Sequence, residues 1–489
     1  MKIAVDRCVV VSGYTHPELE KIVNAFSIFN PQYRRAKNMG KRLYGIEPFH
    51  NYFLVEDRKG FIFLPACAHI KLKEMFPDAE LVFNQHFEKN DEIKLTVKIT
   101  PRNFQKEAIK VVRDHDCGIF KVPTGGGKTF LGSMITAGFK CNTLFICDTI
   151  AIYEQWVKLL SELFGMEVGQ IQGKTFKIQP ITVAMAPSLA SKREQCKDLV
   201  DYFSMVIVDE CQGIGPNNSK KKGHTVFETK QYYNRLGRSV QWFRAKKKFG
   251  LTDAAVRSDE QGDCIRYALG PVIYETPYDE LEAAQAVVKP DLIVRPTNFD
   301  TKLENPSEDY VGLCWELIKD DDRTQMVVSD LLEEEGNSCL ILANNKAYIR
   351  MLAGAMLERR PTLAPITAII TGNTPRNYRT AYIEMARRGQ IKYLFATSLA
   401  DKGMDIPILS CLFMPFPGKF EGTNKQRVGR VVRFAEGKDG AKVYDYVDPN
   451  VVLLRKQFIK RFKKSYLERC KINFDDPFLQ KLKLRPAKD

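Results

Sequence analysis

Val122-Pro123-Thr124-Gly125-Gly126-Gly127-Lys128-Thr129 decides how the rest of the chain is read. On one side Ile119-Phe120-Lys121-Val122 reads as the end of a buried strand. On the other, Phe130 to Ile135 is apolar enough for a following helix. Between them, three glycines let backbone N–H groups turn inward around a polyphosphate without Cβ clashes. Lys128 would then reach the terminal phosphates, and the Thr129 hydroxyl would ligate Mg²⁺. The helix N-terminus adds partial positive charge at the same place. The strict pattern asks for Gly where Val122 stands, so the stretch alone also fits a glycine-rich turn that happens to precede Lys-Thr.

With 489 residues the chain has room for three or four domains. Hydrophobic residues at 44% and charged residues at 27% are ordinary for a folded globular protein. Met1 to Arg7 alternates apolar and charged residues and lacks the apolar core of a signal peptide. No apolar run approaches the ~20 residues of a membrane span. A cytoplasmic protein with no membrane partner is therefore expected. The 12 cysteines show neither Cys-x-x-Cys pairs nor metal-ligand spacing with the six histidines, which predicts reduced, mostly buried thiols.

Net charge is +15, and it is concentrated. Residues 213–249 carry +9 and residues 451–489 carry +8, leaving the remainder near neutral at −2. Such patches suit a polyanion, although a solvated face has the same composition.

Taken in order, residues 1–90 predict a small α+β accessory unit. It has an opening strand from Ile3 to Val11, a helix from Pro17 to Phe29, and a hairpin joining Tyr52–Val55 to Phe61–Leu64. Its basic run (Arg34, Arg35, Lys37, Lys41, Arg42) lies beside Tyr33 and Tyr44 and fits either phosphate and base contacts or a plain loop. Residues 91–286 predict an ATP-binding domain with alternating β and α stretches, hence a doubly wound parallel sheet. There Gln105 has the donor and acceptor needed to read an adenine edge. Met205-Val206-Ile207-Val208-Asp209-Glu210 puts two acids at a strand's C-terminal end, where α/β folds bind ligands. Asp209 would hold Mg²⁺ and Glu210 would polarise water. Asp320-Asp321-Asp322 follows no strand and is expected to be a solvated loop. A proline-bearing connection, Ala284 to Pro296, leads to a second α/β domain, 287–450, with strands at Leu340–Ala343, Ala368–Ile370 and Tyr393–Thr397. Near its end, Arg430 and Arg433 share a helix face, which suits stabilising a γ-phosphate. In the extension 451–489, Leu454, Phe458, Phe462 and Tyr466 recur every four residues, predicting a docked helix with Lys456, Lys460, Lys463 and Lys464 in solvent.

The order of these motifs resembles superfamily-two helicases. It comprises the phosphate loop, Asp209-Glu210-Cys211-Gln212, Gly250-Leu251-Thr252, Thr397 to Asp405, and Gln426 to Arg433. Gln155-Trp156 and Gly270 to Glu275 resemble the branch holding the XPB, RecG and phage UvsW proteins, and a bacteriophage DNA helicase is expected. The resemblance implies two tandem RecA-like domains, with Val122 to Thr129, Gln105, Gly403 and Asp405 around ATP and Thr129 and Asp209 around Mg²⁺. It makes Lys128, Asp209, Glu210, Gln426, Arg430 and Arg433 the catalytic set. Three positions depart from the family pattern: Val122, Gln212 (usually His or Asp) and Asp253-Ala254 (usually a small residue and Thr). The resemblance also marks 213–249 as an enlarged basic insertion, in which Lys220 to Lys222 and Lys246 to Lys248 flank Tyr232, Tyr233 and Trp242. Those aromatics either grip nucleic acid or pack the insertion. The expected function is an ATP-dependent translocase or helicase on duplex, forked or branched DNA in recombination, replication or repair, with branch migration included. The alternatives are a DExH-type RNA helicase, RNA being the less expected partner, and a nucleic-acid-binding protein with a degenerate ATPase.

Overall fold

The computed structural model describes residues 1–38, 40, 42–44, 46–56, 59–216, 233–253, 262–397, 406–417, 427–429 and 440–486. Two compact units result, one formed by residues 1–123 and 127–276, the other by 124–126 and 277–489.

The first unit opens with seven short strands: β1 (Lys2–Val5), β2 (Cys8–Ser12), β3 (Ser27–Phe29), β4 (Phe49–Asn51), β5 (Leu54–Glu56), β6 (Phe61–Pro65) and β7 (Glu80–Phe83). Five form a sheet in the order β5-β6-β2-β1-β7, and β3 pairs with β4 apart from it. The single opening strand expected from Ile3 to Val11 is instead a hairpin, β1 pairing antiparallel with β2. Its turn is held at Asp6, whose carboxylate accepts from the Arg7 amide at 2.6 Å. Likewise the helix expected from Pro17 to Phe29 runs from His16 to Ala25, because Ser27–Phe29 pairs as β3. The hairpin joining β5 to β6 forms as read.

Eight more strands follow: β8 (Cys117–Lys121), β9 (Thr143–Cys147), β10 (Gly169–Gln172), β11 (Thr175–Lys177), β12 (Ile181–Met185), β13 (Met205–Asp209), β14 (Lys247–Thr252) and β15 (Val272–Glu275). Their order is β11-β10-β12-β9-β13-β14-β8-β15, parallel except where β11 turns back on β10. Every residue of β9, β12, β13 and β14 is buried, as strands covered on both faces must be. Helices Arg235–Gln241 and Asp263–Leu269 tie this sheet to the amino-terminal one. Gln241 Oε1 accepts from the Ala66 amide at 2.8 Å, and the Tyr267 ring packs at a tilt against Phe26, their centroids 4.7 Å apart. One apolar core therefore runs from Ile3 and Tyr52 through to Tyr233 and Leu269.

β14 corrects the charge map. Lys246-Lys247-Lys248 is not an open basic run: Lys247 and Lys248 are buried strand residues. Lys247 pairs with Asp116 at 2.8 Å and donates to the His115 carbonyl. Tyr233 is fully buried, its hydroxyl donating to the Cys264 carbonyl at 3.0 Å, so of the two roles left open for it packing holds. Lys220 to Lys222 and Tyr232 lie outside the described residues.

The second unit contains β16 (Asp291–Pro296), β17 (Cys339–Ala343), β18 (Thr367–Ile370), β19 (Tyr393–Thr397), β20 (Cys411–Met414) and β21 (Lys442–Val447). All pair in parallel in the order β16-β21-β20-β17-β19-β18. Two expectations change here. The stretch read as a connection up to Pro296 contains β16. Asp320 caps helix Asp321–Glu333 by accepting from the Arg323 amide at 3.2 Å, so the acidic run starts a helix instead of forming a loop.

The carboxy-terminal extension docks as read, with Leu454, Phe458, Phe462 and Tyr466 buried and Lys456, Lys460, Lys463 and Lys464 exposed. A repeat of four drifts around an α-helix of 3.6 residues per turn. The π-helical turn Phe462–Tyr466 follows helix Val452–Arg461 and takes more residues per turn where that drift would carry the apolar residues off the core. No helix among the described residues is long and apolar enough to cross a membrane, and no described group of His, Cys, Asp or Glu is spaced to hold a metal on its own.

Candidate functional site

The phosphate-loop stretch joins β8 to helix Lys128–Phe139, which places the first turn of that helix at the carboxyl end of the parallel sheet. Gly127 caps the helix in the left-handed region (φ 74°), and Gly125 is left-handed too (φ 89°). A Cβ on Gly127 would lie 2.9 Å from Gln105 Nε2, so the loop needs glycine there for conformation and for space. Buried Gln105 thus sits against the loop, while its own Oε1 accepts from the Arg102 amide at 3.0 Å and caps helix Asn103–Arg113. Val122 is buried and Pro123 follows it ahead of the glycines, so the departure at Val122 contributes a core side chain.

β13 ends on Asp209, and the chain then turns sharply. Glu210 adopts φ 51°, a left-handed conformation that costs a side-chain-bearing residue about 1 kcal/mol or more. The turn brings Glu210 Oε1 to 3.7 Å from Lys128 Nζ. Asp209 lies deeper: its Oδ1 accepts from the Glu210 amide at 2.8 Å and its Oδ2 from the Trp156 indole N–H at 2.9 Å. Burial, and then the neighbouring Glu210 charge, push the Asp209 carboxyl up to about 6, against the pull of Lys128 and Trp156. A carboxylate so placed favours a nearby cation.

Gln212, one of the three departures, is built into this edge. Its amide N–H donates to Glu210 Oε2, and its Oε1 accepts from the Thr252 hydroxyl at 2.5 Å. Lys128, Glu210, Gln212 and Thr252 therefore form one polar chain from the phosphate loop to the end of β14. The approach requires Gly250, where a Cβ would lie 2.7 Å from Cys211 Sγ.

Of the residues assigned from sequence, Lys128, Asp209 and Glu210 fall within this one network, Gln105 sits against the loop beside it, and Thr129 follows Lys128 in the same helical turn. Gly403, Asp405, Gln426, Arg430 and Arg433 lie outside the described residues. Sequence reading missed Trp156 as a partner of Asp209, since the two are 53 positions apart. It flagged Gln212 only as a departure, without its tie to Thr252. Trp242 is half-buried, donates its N–H to the Cys196 carbonyl at 3.2 Å, and has Arg193 stacked over its ring.

Comparison with known proteins agrees with this architecture. Residues 98–252 match the family described as the type III restriction enzyme res subunit, and residues 323–435 match the helicase conserved C-terminal domain. The chain is 24% identical over 373 residues to DNA 3'-5' translocase XPB2 of Sulfurisphaera tokodaii, covering 69% of this chain and 79% of that protein. It is 23% identical over 359 residues to DNA 3'-5' helicase XPB of Kineococcus radiotolerans, covering 71% of this chain and 59% of that protein. The match therefore spans about three-fifths of the bacterial relative. Among solved structures, yeast Dbp5 bound to RNA and ADP BeF3 superposes with a TM-score of 0.53 at 14% identity, covering 79% of this chain and 93% of Dbp5. That likeness shows the fold: two RecA-like helicase domains.

Proposed function

We propose that this chain, a superfamily-two helicase that hydrolyses ATP, uses the hydrolysis to move along duplex, forked or branched DNA during recombination, replication or repair. The observation that carries this reading is the joint placement of Lys128, Asp209 and Glu210 at the sheet edge, with Asp209 pushed up to about 6. Two relatives in the XPB branch are named as DNA enzymes, which favours DNA over RNA.

In this account Lys128 and the amides of Thr124 to Thr129 hold the phosphates, and Gln105 orients the base. Thr129 and Asp209 suit Mg²⁺, because a dication beside Asp209 offsets the burial and the Glu210 repulsion that raise its pKa. When bound, Mg²⁺ neutralises charge on the phosphate oxygens. Glu210 takes the proton of the attacking water, its second oxygen held by Gln212. The assignments of Gln426, Arg430 and Arg433 to the developing phosphoryl charge, and of Gly403 and Asp405 to the nucleotide, rest on sequence. Exposed Lys456, Lys460, Lys463 and Lys464 supply phosphate contacts for the track.

The test is ATP hydrolysis and strand separation measured across forks, four-way junctions, linear duplex DNA and single-stranded RNA. Stimulation by duplex or forked DNA above RNA is expected, and stronger stimulation by RNA would replace this reading with the RNA helicase. Changing the four tail lysines to Gln should flatten the dependence of log affinity on log salt, and an unchanged slope would assign them to solubility.

A further inference from the structure

A recess of about 510 Å³, open solvent at its mouth included, lies in the first unit between the segment after helix Ala186–Ser191 and helix Arg235–Gln241. It uses none of the residues assigned to nucleotide chemistry. Its floor is apolar, made by buried Leu189, Cys196 and Phe243. Trp242 forms one flank, its indole N–H engaged by the Cys196 carbonyl and its ring covered by the Arg193 guanidinium at 4.4 Å. Arg238 also lines the cavity, and among the described residues its Nε is buried with no hydrogen-bond partner.

A guanidinium N–H left unsatisfied beside an apolar recess is costly. Burial, followed by the like charges of Arg235 and Arg193, lowers the Arg238 pKa, so positive charge gathers at this wall. The complement of an apolar floor with two arginines at its wall is an amphipathic anion. A nucleobase fits poorly. The one neutral hydroxyl in the lining, on Ser239, already donates to the Arg235 carbonyl at 3.0 Å, and Arg193 occupies the Trp242 face. The polar edges of a base would therefore go unpaired, whereas a hydrocarbon side chain has none to satisfy. Carboxylates suit guanidinium groups through paired, charge-assisted hydrogen bonds.

We propose that this cavity is the docking site for an acidic peptide segment of a partner protein, one aromatic or aliphatic side chain filling the recess while flanking carboxylates pair with Arg193 and Arg238. Such an anchor in a desolvated pocket with charged surroundings is how small protein contacts gain most of their affinity.

The probe is a short fluorescein-labelled peptide of aspartate and glutamate with one central phenylalanine, titrated into the full chain and followed by anisotropy. Arg238→Gln and Arg193→Gln should each weaken binding about tenfold, the loss expected for one charge-assisted hydrogen bond. Replacing the central phenylalanine by alanine should weaken it by at least about tenfold, while Arg238→Lys loses less than Arg238→Gln. ATP hydrolysis without peptide should be unchanged in both Gln variants. Equal binding by both Gln variants would reduce the effect to general attraction between a basic protein and an acidic probe. Equal binding of the alanine peptide would remove the anchor, and the proposal with it. Displacement by a short single-stranded oligonucleotide whose own binding depends on Arg193 and Arg238 would make this a nucleic-acid site instead. Arg193 lies in a turn outside any helix, so Arg193→Gln gives the same readout should Arg238→Gln unfold.

Discussion

Both units bury charge at or near their parallel sheets, but they treat it differently. In the second unit two buried arginines are matched by carboxylates, although burial still raises the Asp448 carboxyl and leaves its Oδ2 without a hydrogen bond among the described residues. Arg461 grips Asp445 through two bonds, at 2.9 and 3.0 Å, and Tyr466 donates a third at 2.7 Å. Arg323, fully buried, pairs with Asp448 and donates to the Pro415 carbonyl at 2.8 and 3.0 Å. Burial opposes the charge of both arginines, yet their partner carboxylates outweigh it and hold each pKa above its usual value. In the first unit, Asp209 and Glu210 sit side by side with one lysine within salt-bridge distance of Glu210, the backbone strained at Glu210 and the Asp209 carboxyl raised. The difference separates charges that hold the fold together from those that the proposed function keeps available for chemistry. An ion gripped by an opposite charge belongs to the framework, whereas two adjacent acids at the ligand-binding edge of a sheet are placed for chemistry.

The largest effect on stability should come from breaking a matched pair. Arg461→Met leaves Asp445 buried without its guanidinium and should cost about 3–5 kcal/mol, read by urea unfolding of the second unit. Adding Asp445→Leu should recover much of that loss, because the stranded charge goes too. A cost under ~1 kcal/mol would mean that the pair is not part of the framework.

A charge kept for chemistry should behave in the opposite sense. In the folded state burial and the Glu210 charge raise the Asp209 pKa from its ordinary 3.8 to about 6. The stability its neutral form contributes is therefore complete below about 4 and lost as pH rises through about 6. Asp209→Asn stays neutral, so without nucleotide it should gain on the wild type as pH climbs from 4 to 7. The shift corresponds to about 3 kcal/mol, offset by about 1 for a weakened backbone hydrogen bond. The ATP hydrolysis of that variant should collapse. Unfolding curves that keep a constant gap between the two proteins from pH 4 to 7 would refute the raised pKa.

A smaller change sharpens the same point. Trp156→Phe removes a neutral donor worth about 1 kcal/mol to the Asp209 carboxylate. The acidic limb of the hydrolysis profile should move to higher pH by less than about one unit. A limb that stays in place would detach Asp209 from that titration.

How much of this was legible depended on range. Thr143–Cys147, Ile181–Met185 and the end of β13 could be read almost to the residue, because strands buried on both faces leave unbroken apolar runs. β16 was hidden between Pro290 and Pro296, and β20 and β21 went unread. Lys247 and Lys248 misled for a physical reason: lysines are rarely buried, so three in a row looked like surface until Asp116 and the His115 carbonyl appeared beside Lys247. Lys128, Thr129, Asp209 and Glu210 were legible because each belongs to a short local pattern. The Trp156 bond to Asp209 and the Gln212 link to Thr252 join residues far apart in sequence, and no spacing rule announces them.

The central claim is that Glu210 performs chemistry while Lys128, Thr129 and Asp209 hold the nucleotide. Its most direct test is Glu210→Gln, a change that keeps the side-chain shape and removes the base. A fluorescent ATP analogue and steady-state hydrolysis should be measured on one preparation with Mg²⁺ and duplex DNA. The account predicts nucleotide binding within a few-fold of wild type and hydrolysis lower by about 10²–10⁴-fold, the contribution typical of a positioned general base. Hydrolysis near the wild-type rate, or nucleotide binding lost along with it, would contradict the claim.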